Sequence, residues 1–161
     1  MIQTDNMIDL SGKVVLVTGG SRGIGAATSR AIVRAGGSVV AHYGANDAAA
    51  LALAAELGAD RCHLVKADLA DPGVAPSLWV EAMAWRGRID VLVNNAGVFL
   101  GEDRTGPDAD WQAVWQRTLQ INLIAAADFC REAVNQWTAT QAGGAIVNVA
   151  SRAAFRGDDQ D

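Results

Sequence analysis

The residues best placed to do chemistry are the glycines of Thr18-Gly-Gly-Ser-Arg-Gly-Ile-Gly25, where Gly19, Gly23 and Gly25 stand in GxxxGxG spacing. They follow the β-branched apolar run Lys13 to Thr18 and open a stretch of small and apolar residues at helical spacing from Gly25 to Ala35. A turn from a strand's carboxyl end into a helix's amino end points unpaired N–H groups and a partial positive charge outward, a setting that suits a diphosphate. In such a loop Gly19 permits the sharp turn, Gly23 lets a phosphate approach the backbone, and Gly25 lets the helix pack against its strand. The binding candidates are Gly19, Ser21, Arg22, Gly23, Ile24 and Gly25. The alternative is a tight glycine turn that holds nothing; the position between a strand and a helix favours the nucleotide site.

An acid at the end of the second strand commonly binds the adenosine ribose of NAD and repels the extra phosphate of NADP. Here His42, Tyr43 and Gly44 occupy that end, and Asp47 is the first acid beyond it. Arg22 is a loop cation able to pair with a 2′-phosphate, the less favoured alternative being a solvated cation. NADP is therefore the expected cofactor in preference to NAD, with Tyr43 beside it.

The elements that must position these groups alternate along the chain. Ser38 to Tyr43 reads as a second strand, and Asn46 to Leu57 as an alanine-rich helix capped by Asn46 or Asp47 and ended by Gly58. Arg61 to Ala67 is a third strand, Pro72 to Trp85 a third helix opened by Asp71-Pro72, and Ile89 to Asn94 a fourth strand. From Asp108 or Asp110 to about Trp137, apolar residues recur at helical steps, predicting one long helix that Gly143 and Gly144 end. Ala145 to Ala150 is a fifth strand. Strands alternating with amphipathic helices require parallel pairing with helices on both faces, so the fold class is α/β, doubly wound. The chain reads as one domain over residues 1–161, with a loose leader over 1–10 and a loop tail over 157–161.

Composition narrows the function classes. The 161 residues are 50% hydrophobic and 19% charged, enough for a sizeable core and far from a disordered or fibrous chain. The longest apolar run, Ala48 to Ala55, is far short of the roughly 20 residues that span a bilayer. A net charge of −5 leaves no basic field for nucleic acid. No export signal marks the start, so a cytoplasmic location is expected. Cys62 and Cys130 have no metal-ligand or CxxC spacing and read as buried reduced thiols; no metal site is expected.

These residues together resemble the amino-terminal two thirds of a short-chain dehydrogenase/reductase, of the kind that includes 3-oxoacyl-carrier-protein reductases and sugar or alcohol dehydrogenases. The similarity runs from Leu10 to Arg156 and rests on ordered motifs. Thr18 to Gly25 resembles the family's TGxxxGxG loop, and Asp68-Leu69 the pair whose carboxylate binds the adenine amino group. Asn94-Asn95-Ala96-Gly97 resembles the NNAG segment that lines the cofactor while an asparagine braces neighbouring strands. Asn122 matches the asparagine that bends the long helix and holds a proton-relay water; Ser151 matches the serine that hydrogen-bonds the substrate oxygen. The resemblance implies a Rossmann-type sheet of order 3-2-1-4-5 and hydride transfer to or from a carbonyl or secondary alcohol. It also implies homo-oligomers formed through the long helix, around Asp110 to Trp137. From the residues alone, Asp68 reads equally as a cap, Asn94 and Asn95 as turn formers, and Ser151 as a strand-end serine. Asn122 in an apolar stretch requires a bonded partner or a helix bend.

The family's proton donor is a tyrosine with a lysine four residues on, about a dozen residues past the serine. Here the single tyrosine is Tyr43, and Lys13 and Lys66 likewise precede Ser151. The expectation is a sheet truncated after its fifth strand, inactive alone, with that strand as an exposed apolar edge. The alternatives are a non-catalytic nucleotide-binding fragment and a structural α/β domain completed by a partner chain.

Overall fold

A computed structural model describes residues 8–101 and 107–152. Five parallel strands form one sheet: β1 (Val14–Val17), β2 (Ser38–Tyr43), β3 (Cys62–Lys66), β4 (Val91–Asn94) and β5 (Ala145–Asn148), in the order β3-β2-β1-β4-β5. The chain therefore moves outward from β1 through β2 to β3, then crosses to β1's other side for β4 and β5. This reversal opens a crevice at the carboxyl ends of the strands.

Alternation along the strands sends side chains to two cores. Val14 and Leu16 of β1 join Val40, Val65 and Leu92 on one face. There they are covered by Leu78, Trp79 and Ala82 of α3 (Val74–Arg86) and by Phe129 and Ala133 of α5 (Ala125–Ala139). Val15 and Val17 face the other way, with Val39, Ala41 and Val93, beneath Ile32 of α1 (Gly23–Arg34) and Leu53 of α2 (Asp47–Leu57). Phe129 is fully buried, a contribution of about 1.5–3 kcal/mol from its side chain alone. The expected α/β fold with helices on both faces is thus the observed one.

Three expectations need correction. The third helix does not open at Asp71-Pro72: Gly73 takes φ +80° and the helix starts at Val74, because a left-handed residue lies outside the helical ladder. The single long helix is divided into α4 (Asp108–Leu119), a π-helical turn at Gln120–Ile124, and α5. Leu10, placed with the loose leader, is instead anchored by its N–H to Ala35 O (2.8 Å) and packs on the α1–α2 core. The rest of that leader (1–7) and the expected tail (157–161) lie outside the described residues. Elsewhere the boundaries shift by one or two residues, and Asn46 caps α2 as expected, accepting the Ala49 N–H at 3.0 Å.

β5 pairs only with β4 among the described strands, and Val147 and Val149 are nearly half exposed. Its approach depends on a close contact. Trp137 lies over Gly144, and a Cβ there would fall 2.0 Å from the indole. The indole Nε1 donates to Ile89 O at 2.8 Å. Among the described residues no helix is long and apolar enough to cross a membrane.

Candidate functional site

The wall of the crevice is built from a clasp between the ends of β1 and β4. The Thr18 hydroxyl, 2% exposed, accepts the N–H groups of both Asn95 and Ala96 at 3.0 Å. Asn95 returns the contact, its Nδ2 donating to the carbonyls of Thr18 (2.9 Å) and Gly19 (3.2 Å). Asn94 points elsewhere: its Nδ2 donates to Asn148 Oδ1 on β5 (2.9 Å) and reaches Ala126 O and Cys130 Sγ on α5, each at 3.3 Å. Adjacent asparagines thus do separate work, one joining β4 to β5 and α5, the other joining β4 to the glycine loop.

The glycines divide their roles in the same way. A Cβ on Gly25 would lie 2.0 Å from Gly19 O and 2.6 Å from Asn95 Nδ2, so close packing of α1 on the clasp requires glycine there. Gly19 takes φ +63°, and a Cβ there would lie 3.1 Å from Ala96 Cα. Gly23, at φ +53°, faces open space, leaving the backbone bare toward the crevice. Arg22 precedes α1 without a side-chain cap, and the first turn holds no acid, so the helix's amino end presents its dipole uncompensated. The amides at the start of the loop are engaged. Gly19 N–H already donates to His42 Nδ1 (3.1 Å), and Gly20 N–H to His42 O (2.8 Å). Of the stretch from Thr18 to Gly25, the amides of Thr18, Gly19 and Gly20 are therefore taken up within the protein.

At the end of β2, Tyr43 is half-buried and Asp47 opens α2 in an ion pair with Lys66 (2.8 Å). Burial, joined by its hydrogen bond to the Asp47 carboxylate, holds the Tyr43 phenol above its ordinary value, while Lys66 and Tyr43 hold the Asp47 carboxyl below its own. Arg22 forms no ion pair among the described residues. Asp68, after β3, accepts the Ala70 N–H (2.9 Å) as a local cap and also meets Arg117 of α4 at 3.5 Å.

The π-helical turn sets Asn122 against the far side of the crevice. Its Oδ1 accepts the Val98 N–H and its Nδ2 donates to Val98 O, both at 2.8 Å. This two-point contact supplies the partner that an asparagine in an apolar stretch requires. Ser151 stands exposed after β5.

One groove of about 760 Å³ gathers most of the candidates. It is lined by Gly19 and Ser21 to Gly25 from the loop, Tyr43 from β2, Asp68 and Leu69 after β3, and Asn95, Ala96 and Gly97 after β4. Neither Asn122, which bonds to the lining residue Val98, nor Ser151 is in its lining. Sequence reasoning missed Thr18, Gly20, His42, Lys66 and Arg117 as parts of the site. Gly20 had a visible signal as the loop's fourth glycine, and a Cβ there would meet Val17 O at 2.9 Å. Thr18 stood in the TGxxxGxG loop and His42 at the end of the second strand, but the partners of both, like those of Lys66 and Arg117, are distant in sequence.

The groove fits an extended dinucleotide: bare backbone at Gly23, an uncapped helix end, and a carboxylate at Asp68 on one continuous surface. A parallel sheet with its crevice at the switch between β1 and β4, entered by a glycine loop, defines a nucleotide-binding α/β protein. A family model described as short chain dehydrogenase matches residues 13–160, and the chain belongs to that family. It is 42% identical over 154 residues to a D-threitol dehydrogenase of Mycolicibacterium smegmatis, covering 94% of this chain and 57% of that protein. It is 36% identical over 152 residues to an L-rhamnose 1-dehydrogenase (NAD(P)(+)) of a Sphingomonas species, covering 93% and 59%. Among solved structures, a blue fluorescent protein from a metagenomic library, in complex with NADPH, superposes with TM-score 0.78 at 35% identity, covering 93% of this chain and 60% of that one. The chain thus spans less than two thirds of the length of these relatives.

Proposed function

We propose that this chain is the coenzyme-binding part, residues 1–161 of one incomplete Rossmann domain, of an NADP-dependent oxidoreductase acting on a small carbonyl compound or secondary alcohol. The observation that carries the reading is the groove across the carboxyl ends of the strands, with the uncapped amino end of α1 at its centre. In this reading the first-turn amides hold the diphosphate, Asp68 meets the adenine, and Arg22 pairs with the 2′-phosphate beside Tyr43. The bound coenzyme would supply or accept the hydride. Ser151 positions the substrate oxygen, and Asn122, locked to Val98, keeps the π-turn's backbone placed for proton relay. The solved relative in complex with NADPH and the NAD(P)-named rhamnose dehydrogenase support a nicotinamide coenzyme. The choice of NADP rests on Arg22 and on Asp47 being held by Lys66.

Homo-oligomers form, in this reading, through the α4–α5 surface, where Trp111, Trp115, Leu119 and Leu123 are each more than a third exposed. A cytoplasmic setting agrees with two free thiols, buried Cys62, whose pKa burial pushes up to about 11, and half-buried Cys130.

A second reading, a non-catalytic nucleotide-binding fragment or a domain completed by a partner chain, is favoured by two observations. Tyr43 is bound to Asp47, and among the described strands β5 pairs with β4 alone. Calorimetric titration tests the binding claim. NADPH should bind at least tenfold more tightly than NADH, and Arg22→Ala should erase that preference; equal affinities would refute the NADP assignment, and no binding of either would refute the nucleotide site. Turnover of a ketone by this chain separates enzyme from binding fragment.

A further inference from the structure

His42 is buried, 2% exposed, and neither the family resemblance nor the groove's general form gives it a task. Its ring lies between two groups from different elements. Nδ1 is 3.1 Å from the Gly19 N–H, and Nε2 is 3.1 Å from Ala67 O. A carbonyl only accepts and an amide only donates, so one form of the ring satisfies both: the neutral tautomer with its proton on Nε2. The residue's own carbonyl takes the Gly20 N–H at 2.8 Å. His42 therefore holds the two residues that begin the glycine loop and the residue immediately before Asp68. These are the diphosphate end and the adenine end of the groove.

We propose that His42 is a positioning residue of the nucleotide groove, whose neutral Nε2–H imidazole sets the glycine loop and the end of β3 at the spacing a dinucleotide needs. The inference rests on the nucleotide-binding reading given above. An imidazolium would aim a second donor at the Gly19 N–H, so the loop as built excludes the protonated ring. Burial lowers the ring's affinity for a proton below the ordinary value, opposed by the Ala67 carbonyl and the Asp68 carboxylate. Of the other charged or titratable groups nearby, Lys66 on β3 and Asp47 on α2 pair with each other, Tyr43 of β2 bonds to Asp47, and Arg22 lines the groove. The neutral ring thus persists at neutral pH, and its protonation, displaced to more acid pH than that of a free imidazole, releases Gly19.

Two measurements test this. Long-range nitrogen–proton NMR on the ligand-free chain at pH 7.5 should show His42 in the Nε2–H form; an Nδ1–H ring, or an imidazolium at that pH, overturns the proposal. Calorimetric titration of NADP+ from pH 8 to pH 5 should then show affinity that is flat above pH 7 and falls toward pH 5 more steeply than for a variant without the ring. His42→Asn places an amide oxygen near the Nδ1 position and cannot gain a proton there. It should bind more weakly than the native chain at pH 7.5, because the link to Ala67 is lost, yet show no acid sensitivity beyond the ligand's own, while His42→Leu should bind at least tenfold more weakly than the native chain at pH 7.5, with the gap narrowing toward pH 5. Ionisation of the ligand's own 2′-phosphate is common to all three proteins and cancels in the comparison. If His42→Leu does not fold, the asparagine variant still decides. Superimposable pH profiles for native chain and His42→Asn overturn the role of His42 alone. No binding by the native chain at pH 7.5 overturns the nucleotide reading, and this inference with it, whatever the NMR spectrum shows.

Discussion

Replacing Thr18 by valine changes the shape of the site very little and removes one oxygen, and the structure allows the cost to be worked out. That oxygen accepts two backbone N–H groups, from Asn95 and Ala96, each at 3.0 Å, and lies 3.4 Å from Val93 O, which it serves weakly as a donor. A desolvated donor left without an acceptor costs about 1–3 kcal/mol. Asn95 and Ala96 are only half-buried, so the lower end applies to each, about 2 kcal/mol together. For a chain of this size each kcal/mol shifts the melting midpoint by roughly 2–4 °C, so Thr18→Val should melt about 4–8 °C below the native protein. Thr18→Ser keeps the oxygen, loses a methyl, and should recover most of the difference. Thermal unfolding followed by circular dichroism, with urea unfolding to confirm an unchanged m-value, measures both. A valine variant as stable as the native chain, or a serine variant no better than valine, would refute the clasp as the support of the groove wall.

Other outcomes follow from the same geometry. Gly25→Ala drives a Cβ to 2.0 Å from Gly19 O and should weaken nucleotide binding at least tenfold with a lower melting midpoint, read by calorimetry and thermal unfolding. Gly144→Ala displaces the Trp137 indole from its place over β5 and should cost about 1–3 kcal/mol, with a changed tryptophan emission spectrum as the marker. Asp90, whose carboxylate accepts the Val14 N–H (2.9 Å) and pairs with Arg88, is pushed upward by burial, but Arg88, the Val14 amide and Lys13 outweigh that and hold its pKa below the ordinary value. Its contribution is complete above the unfolded-state value near 3.9 and disappears as pH falls through the lower folded value. Asp90→Ala should therefore destabilise the chain by about 1–3 kcal/mol at pH 7, and the gap to the native protein should narrow in urea unfolding as pH is lowered below the unfolded-state value.

The alternation of apolar runs with helical stretches was legible because periodicity is local: β2 was delimited to the residue, and the capping of α2 by Asn46 follows from a side chain three positions from its partner. The glycine spacing likewise announced a bare loop between a strand and a helix, a property of the backbone near each glycine. Helix interruption was harder. The residues around Asn122 keep helical spacing through the π-turn, and what distinguishes the turn is the pair of 2.8 Å bonds to Val98, which lies in a different part of the chain. The same holds for Arg117 and Lys66, ordinary surface cations by composition, which meet Asp68 and Asp47 only because strand order brings α4 beside the end of β3 and α2 beside Tyr43.

Residue types and their near neighbours therefore determined the elements, the parallel α/β class and the presence of a phosphate-suited loop. Which amides of that loop remain available, which asparagine braces β5 and which closes on Thr18, and that His42 ties Gly19 to Ala67, were decided by the tertiary structure alone. These contacts join positions many residues apart, and they come into hydrogen-bonding distance only after the strands have paired in one register.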